Sequence, residues 1–390
     1  MLAALASVSS MSVLDWVVVG GGPHGVCAAR ALRAAGAELR VVDPSGELLH
    51  RWSTRAQAVS MTWMRSSVGH HLDHHPTDLH HFLHRRDNAD VATLARPYLR
   101  PTHAAFLRHA RHVMARDRLH DAVLQGRVEA LRDDGDSLVV EGSGLLLRAR
   151  RVLLATGSNQ LKIPAWARRL RREGAAVDHV FEPGGALASE IVGGGISAVQ
   201  RALEVWRRSK RTVGLWVRRP LQIADFDNEQ SLTRARFLAW WCRLEEPKRH
   251  AFLERHAARG SVPPGQWTRL KRAVRRVRVR LHQGEPRVER ARGDQRLILT
   301  GAGGRVESSG LTLATGFEPE QISGWLRAVT EQLELPERTG LPALQRDMHW
   351  GRGVYVCGPL ARLRLGPMAS NLIGARWAAS LLPGVEMQPY

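Results

Sequence analysis

An apolar run, Val17-Val18-Val19, feeds directly into Gly20-Gly21-Gly22-Pro23-His24-Gly25, and small helix-forming residues follow at Val26, Ala28, Ala29 and Ala31. This order of strand, Gly-x-Gly-x-x-Gly and helix leaves the chain few choices. A strand ending in a tight glycine turn aims the first N–H groups of the next helix at whatever rests on the turn. Those donors, with the helix dipole, suit a pyrophosphate. Gly20 permits the turn, Gly22 lets a phosphate approach the backbone, and Gly25 lets helix and strand pack closely. Residues Ala37 to Asp43 read as the next parallel strand, with the Asp43 carboxylate placed to accept from ribose hydroxyls. The reading is dinucleotide binding on Gly20, Gly21, Gly22, Pro23, His24, Gly25 and Asp43.

The same logic recurs at Ser189 to Ala198, where Gly193, Gly195 and Ala198 take the fingerprint positions and Ser197 opens the helix. The strand after it, Thr212 to Val217, ends in Arg218-Arg219 where the first unit has Asp43. A carboxylate suits an unphosphorylated ribose, and two guanidinium groups suit a 2′-phosphate. Such a contact contributes roughly 1.5–3 kcal/mol, about one to two decades of preference for NADPH over NADH.

Between the units lie short alternating runs at Gly126–Leu131, Ser137–Glu141 and Leu145–Ala149, which read as an antiparallel meander. They deliver the chain into a buried strand, Arg151 to Gly157, ending in Ala155-Thr156-Gly157. Leu297–Thr300, a Gly301-Ala302-Gly303-Gly304 turn and Leu311–Phe317 repeat the hairpin-into-Ala-Thr-Gly pattern. A strand from Val354 into Gly358-Pro359 and a helix from about Ala369 to Leu382 close the chain. That helix can aim its N-terminus at a second face of a bound cofactor. Pro101-Thr102 opens a helix within Leu99–Leu119.

The segment from Met61 to Leu83 carries His70, His71, His74, His75, His80 and His81, with His84 next. Histidines four apart on a helix can hold a metal, but Asp73, Pro76 and Asp78 break the helical pattern. A polar loop near the cofactor, with no metal, is the reading. Residues Ser231 to Leu281 read as a helical, basic insert, with Trp240-Trp241 in its core.

Charge and composition narrow the function classes. The formal net charge is +20, and all but four of the 57 lysines and arginines are arginine. Aromatics are not interleaved with them as single-strand binders require, so nucleic acid is not the expected partner. The basic field would draw in anionic cofactors and substrates. No apolar stretch is long enough to cross a bilayer. Residues Met1 to Ser10 lack the basic side chains of a secretory signal, and Met11 is an alternative start. Cys27, Cys242 and Cys357 form no Cys-x-x-Cys, which sets aside a redox dithiol and fits a reducing cytoplasm.

Two glycine fingerprints, two Ala-Thr-Gly segments and a closing strand–Gly–helix resemble the flavoproteins with two dinucleotide-binding domains, the glutathione-reductase-like superfamily. Within it the chain most resembles the class B and N-hydroxylating flavin monooxygenases, whose Ala-Thr-Gly-aromatic segment matches Ala314 to Phe317. The resemblance implies an α/β fold of two Rossmann-like domains, each with an antiparallel meander, the NADPH domain inserted in the FAD domain. The expected division is 1–185 plus 305–390 for FAD and 186–304 for NADPH, the latter carrying the insert at about 231–281. The first fingerprint and Asp43 would hold FAD, with Thr156, Gly157 and Gly358 beside it. Gly193, Gly195 and Ser197 would receive NADPH, with Arg218 and Arg219 on its phosphate.

The implied activity is hydride transfer from NADPH to FAD and oxygenation, through a C4a-hydroperoxyflavin, of a small substrate with a nucleophilic nitrogen or sulfur. Two departures stand out. The Phe-x-Gly-x-x-x-His motif is represented only by Phe181-Glu182-Pro183-Gly184, and Pro359 replaces the aspartate that often follows the last glycine. An NADPH reductase without oxygen insertion therefore remains as an alternative, as does a nucleotide-sensing protein that binds a partner through the basic insert. A homo-oligomer is left open. Ser66, His70 and Asp225-Phe226-Asp227-Asn228 are pocket candidates, and no catalytic residue is assigned.

Overall fold

The computed structural model describes residues 12–184, 187–256, 260–291, 296–302 and 304–386. Residues 1–11, with the alternative start, and Gly303 of the expected glycine turn lie outside them.

The first parallel sheet grows from the strand Val13–Val19, whose Val17 and Val18 are fully buried. Burial on both faces is why this strand reads as a continuous apolar run rather than an alternating one. It pairs in parallel with Leu39–Asp43 on one side and Leu145–Leu154 on the other, Val18 lying opposite Val41 and Leu153. Val354–Val356 and Val123–Gln125 extend the sheet outwards in parallel, and His349–Gly351 adds an antiparallel edge. The meander is formed by Val128–Asp133, Leu138–Gly142 and the start of Leu145–Leu154. The sequence suggests two separate strands across 145–157; the structure joins them into one, so the last meander strand is itself a central strand of the sheet.

The helices Pro23–Ala34 and Leu372–Ser380 pack together on this sheet through small residues. Ala28, Ala29 and Ala31 face Ala375, Ala378 and Ala379 in one apolar cluster with Trp16 and Trp377. A Cβ on Gly374 would fall 2.1 Å from the Met368 carbonyl oxygen, so only glycine fits there.

A second parallel sheet runs Val279–Gln283, Val213–Val217, Glu190–Val192, Leu311–Leu313 and Val177–His179. Two of its strands, at 177–179 and 311–313, lie outside the span 186–304 expected from the sequence. A separate antiparallel sheet of Arg287–Arg290, Leu297–Gly301 and Gly304–Ser308 covers it. Leu297–Gly301 thus pairs with Gly304–Ser308, not with the run ending at Phe317.

The expected helical insert at 231–281 divides in two. Helices Ala235–Arg243 and Glu246–Arg255 place Phe237, Leu238 and Trp241 in the apolar cluster of the first unit, beside Met368 and Ala369. Trp241 is fully buried, whereas Trp240 is exposed. Helix Pro264–Arg275 instead buries Leu270 and Ala273 against Val199 and Ala202 of the second unit, and Val279–Gln283 is a strand. Its buried residues, Val279 and His282, lie three apart and so on opposite faces, and with Arg280 and Gln283 exposed the strand shows no regular alternation in the sequence.

The histidine-rich segment contains a short helix, Asp78–Leu83. Its buried members staple the loop. His71 Nε2 lies 3.2 Å from the Pro76 carbonyl, His109 Nε2 is 2.7 Å from Asp78, and Arg116 grips Asp73 at 2.6 Å. Among the described residues no three His, Cys, Asp or Glu side chains are arranged to hold a metal, and no helix is long and apolar enough to cross a membrane.

Candidate cofactor cleft

A cleft of about 460 Å³ opens at the C-terminal edge of the first sheet, where ligands of open α/β sheets bind. Gly20 has φ +112°, and a Cβ there would come within 2.5 Å of the Ala155 carbonyl oxygen. A Cβ on Gly25 would fall 1.8 Å from the Gly20 carbonyl oxygen, so this helix sits against its strand as closely as backbone allows. Gly22 is the opposite case: it lines the cleft, and nothing lies within 4 Å of where its Cβ would be. That open space is what an approaching phosphate needs.

The helix Pro23–Ala34 begins at Gly22 with no side-chain cap and no acidic residue in its first turn. Its leading N–H groups are therefore not claimed by a capping side chain and face an anion's position. Asp43 braces the turn from beneath: Oδ2 accepts the Gly21 N–H at 2.9 Å, and Oδ1 accepts from the Ser45 N–H and hydroxyl at 2.9 and 2.6 Å. A second helix start, Ser370-Asn371-Leu372, lines the other side of the cleft, also without a side-chain cap. His24 joins the two. Its Nε2 is 2.8 Å from the Ala369 carbonyl, which can only accept, so the proton sits on Nε2. Burial pushes the His24 pKa down to about 4, so the ring is neutral at physiological pH.

The walls are basic. Arg51, Arg55, Arg65 and Arg127 line the cleft. Arg55 donates to the Ser158 carbonyl at 3.0 Å, and burial, with the neighbouring Arg51 charge, brings its pKa down to about 10. Arg65 reaches across to the second unit, bonding Asp227 at 2.9 Å and the carbonyls of Ala224 and Asp225 at 3.1 and 3.2 Å. Arg100 holds Asp225 at 3.1 Å. Burial lowers the Arg65 pKa, and the Asp227 charge opposes that shift.

Of the residues read from the sequence, Gly20, Gly22, Pro23, His24, Asp43, Thr156 and Gly157 line this cleft together, as does Ser66. Gly21 and Gly25 lie behind the turn. Gly358, φ +78°, stands behind His24, 3.8 Å from its ring at the Cβ position, while neighbouring Pro359 lines the cleft. His70 is not among the lining residues, and Asp225 and Asp227 serve as anchors for Arg100 and Arg65. Sequence reading missed Arg51, Arg55, Arg65 and Asn371. Arg51 and Arg55 were findable in part: they share a face, four apart, on the helix His50–Ala58 just after Asp43.

Gly193, Gly195 and Ser197 form the equivalent turn at the end of Glu190–Val192, with Gly195 opening the helix Ile196–Ser209. A Cβ on Gly193 would meet the Ala314 carbonyl oxygen at 2.3 Å, repeating the Gly20–Ala155 contact. Each Ala-Thr-Gly segment thus tucks its alanine carbonyl under the first glycine of one turn. Arg218 and Arg219 follow the strand end and are exposed. The two crossings lie side by side: Lys162 N–H donates to Gly316 O and Glu318 N–H to Gln160 O, both at 2.9 Å. Phe317 stacks on Phe181 at 5.4 Å, with the Arg55 guanidinium 4.6 Å from its ring centre.

Residues 17–159 match a family model described as FAD-NAD(P)-binding. No curated protein sequence matches the chain. Among solved structures, the ornithine hydroxylase from Pseudomonas aeruginosa superposes with a TM-score of 0.76 at 20% identity, covering 96% of this chain and 98% of that one. The L-lysine 6-monooxygenase from Pseudomonas syringae gives 0.70 at 17% identity, covering 96% and 100%. The bacillithiol disulfide reductase from Bacillus cereus gives 0.55 at 20% identity, covering 95% and 99%. The fold is that of the two-dinucleotide-binding-domain flavoproteins.

Proposed function

We propose that this chain is an FAD-dependent, NADPH-using monooxygenase that oxygenates a nucleophilic nitrogen or sulfur of a small substrate. The observation that carries the reading is the convergence of two uncapped helix starts, Asp43 and the open face of Gly22 on one cleft, in a fold shared with ornithine and lysine hydroxylases. The residues present fit FAD. The N–H groups of Gly22, His24 and Gly25 would bind its pyrophosphate, and Asp43 its ribose. Residues 370–372 would supply a second positive helix end, and Thr156 and Gly157 the floor. When bound and reduced, the flavin supplies the reaction of dioxygen that no amino-acid side chain performs.

The chain's own part is binding, orientation and water exclusion. Neutral His24 ties the closing helix to the glycine turn without adding charge. Arg65 and Arg100 hold the 224–227 loop against the first unit. Gly193, Gly195 and Ser197 would receive NADPH, and Arg218 and Arg219 its 2′-phosphate. The FAD unit is assigned to 12 to about 160 together with about 317 onwards, and the NADPH unit to the stretch between, with helices Ala235–Arg243 and Glu246–Arg255 docked back onto the FAD unit. The three free cysteines are in keeping with a cytoplasmic location.

The purified chain should be yellow, consume oxygen faster with NADPH than with NADH, and place label from 18O2 in the product of an amine or thioether substrate. Oxygen-independent NADPH turnover with no label in product would replace this reading by the reductase one.

A further inference from the structure

A second cavity, about 510 Å³, lies between the helices Ala235–Arg243 and Glu246–Arg255 and the segments around 345 and 364; it shares no lining residue with the cofactor cleft. Four guanidinium groups line it, from Arg243, Arg249, Arg346 and Arg364, together with Cys242, and no carboxylate among the described residues does. Arg249 and Arg364 are half-buried, and Arg243 and Arg346 are exposed. The inner pair bond to neutral groups: Arg249 donates to the carbonyls of Cys242 at 3.0 Å and Leu363 at 3.3 Å. Arg364 donates to the Cys242 Sγ at 2.7 Å and to the Arg346 carbonyl at 3.2 Å. Glu246, the acid whose charge reaches Arg249, is committed to Arg338 at 3.2 Å.

Half-buried cations lining one cavity, with no carboxylate on its walls among the described residues, raise the energy of the empty site. Burial lowers the Arg249 pKa and the Arg364 charge adds to the effect, while Cys242 and Glu246 oppose it. Planar forks lining one cavity match carboxylate or phosphate oxygens, and the volume is that of a small-molecule site. We propose that this cavity binds a small multivalent anion bearing carboxylate or phosphate groups, with Arg249 and Arg364 on the inner wall and Arg243 and Arg346 at the rim. The proposal does not depend on the oxygenation chemistry.

Cys242 makes the site testable. It sits among the four arginines, whereas Cys27 and Cys357 are buried. The full-length chain would be alkylated with iodoacetamide in citrate, in inorganic pyrophosphate, and in chloride at matched ionic strength, with modification of Cys242 followed by mass spectrometry. Occupancy should slow alkylation at least about tenfold relative to chloride and raise Tm. Protection by citrate alone assigns a carboxylate ligand, by pyrophosphate alone a phosphate ligand, and by both a general oxyanion site. The double variant Arg243→Gln/Arg346→Gln changes only exposed side chains, so it should fold. It should need roughly ten- to a hundredfold more anion for the same protection. Equal rates in all three salts, or protection unchanged in the double variant, would overturn the proposal.

Discussion

The two glycine turns share a backbone plan and differ in what surrounds it. In each, a glycine lies under the carbonyl of an Ala-Thr-Gly alanine, Gly20 under Ala155 and Gly193 under Ala314. At the third fingerprint position the first turn has Gly25, with no room for a Cβ, while the second has Ala198, whose methyl is fully buried. Beyond Gly22 the space is open, but Gly195 faces the backbone of Gly260, 3.6 Å from its Cβ position. Asp43 is locked by three hydrogen bonds, whereas Arg218 and Arg219 are exposed. On the proposed function, the first turn, braced by Asp43 and open at Gly22, suits a resident nucleotide, and the second, ending in exposed arginines, a visiting one.

The largest test of that contrast is Gly25→Val. It should cost about 3 kcal/mol or more in unfolding free energy, because both atoms in conflict belong to backbone. Ala198→Gly should cost only about 1 kcal/mol. Urea denaturation of the pair measures the difference, and equal losses would break the distinction. Gly22→Val should leave the fold intact and abolish flavin retention through gel filtration, since its side chain fills the space a phosphate needs. Retained yellow colour would place the pyrophosphate elsewhere.

Arg218→Gln/Arg219→Gln should reduce the ratio of kcat/KM for NADPH over NADH by about ten- to a hundredfold, with flavin content unchanged. An unaltered ratio would remove both arginines from the cofactor site.

The smallest effect is in pH. The unfolded chain protonates histidine near 6.5, but folded His24 does so only near 4. Between these values the unfolded state binds more protons, so stability falls as pH drops from about 6.5 towards 4. Burial depresses His70 to about 4 as well, with the Arg376 charge adding to it, so His24→Gln should flatten this loss only in part. The expected difference is of order 1–2 kcal/mol between pH 7 and 4.5, read from Tm. A variant that parallels the parent across the window would show that His24 is not neutral in the folded chain.

What could be read without coordinates was local. Glycine at 20, 22 and 25 states a backbone conformation and a clearance, and the valines before it state burial on both faces. Both depend on residue type at fixed spacing, so the turns, the strands and the acid–arginine contrast at the two strand ends were legible. The strand Val279–Gln283 was not, because its buried residues follow no period of two and Arg280 continues the charge of the helix before it. Nor was the return of Phe237 and Trp241 to the first unit.

The walls of the cleft, Arg51, Arg55, Arg65 and Asn371, and the arginine cavity around Cys242 come from segments far apart in the chain. Backbone preference acts over a few residues, and its imprint survives in the sequence. Which distant surfaces meet is decided by complementary shape and charge, properties that exist only once the chain has closed on itself.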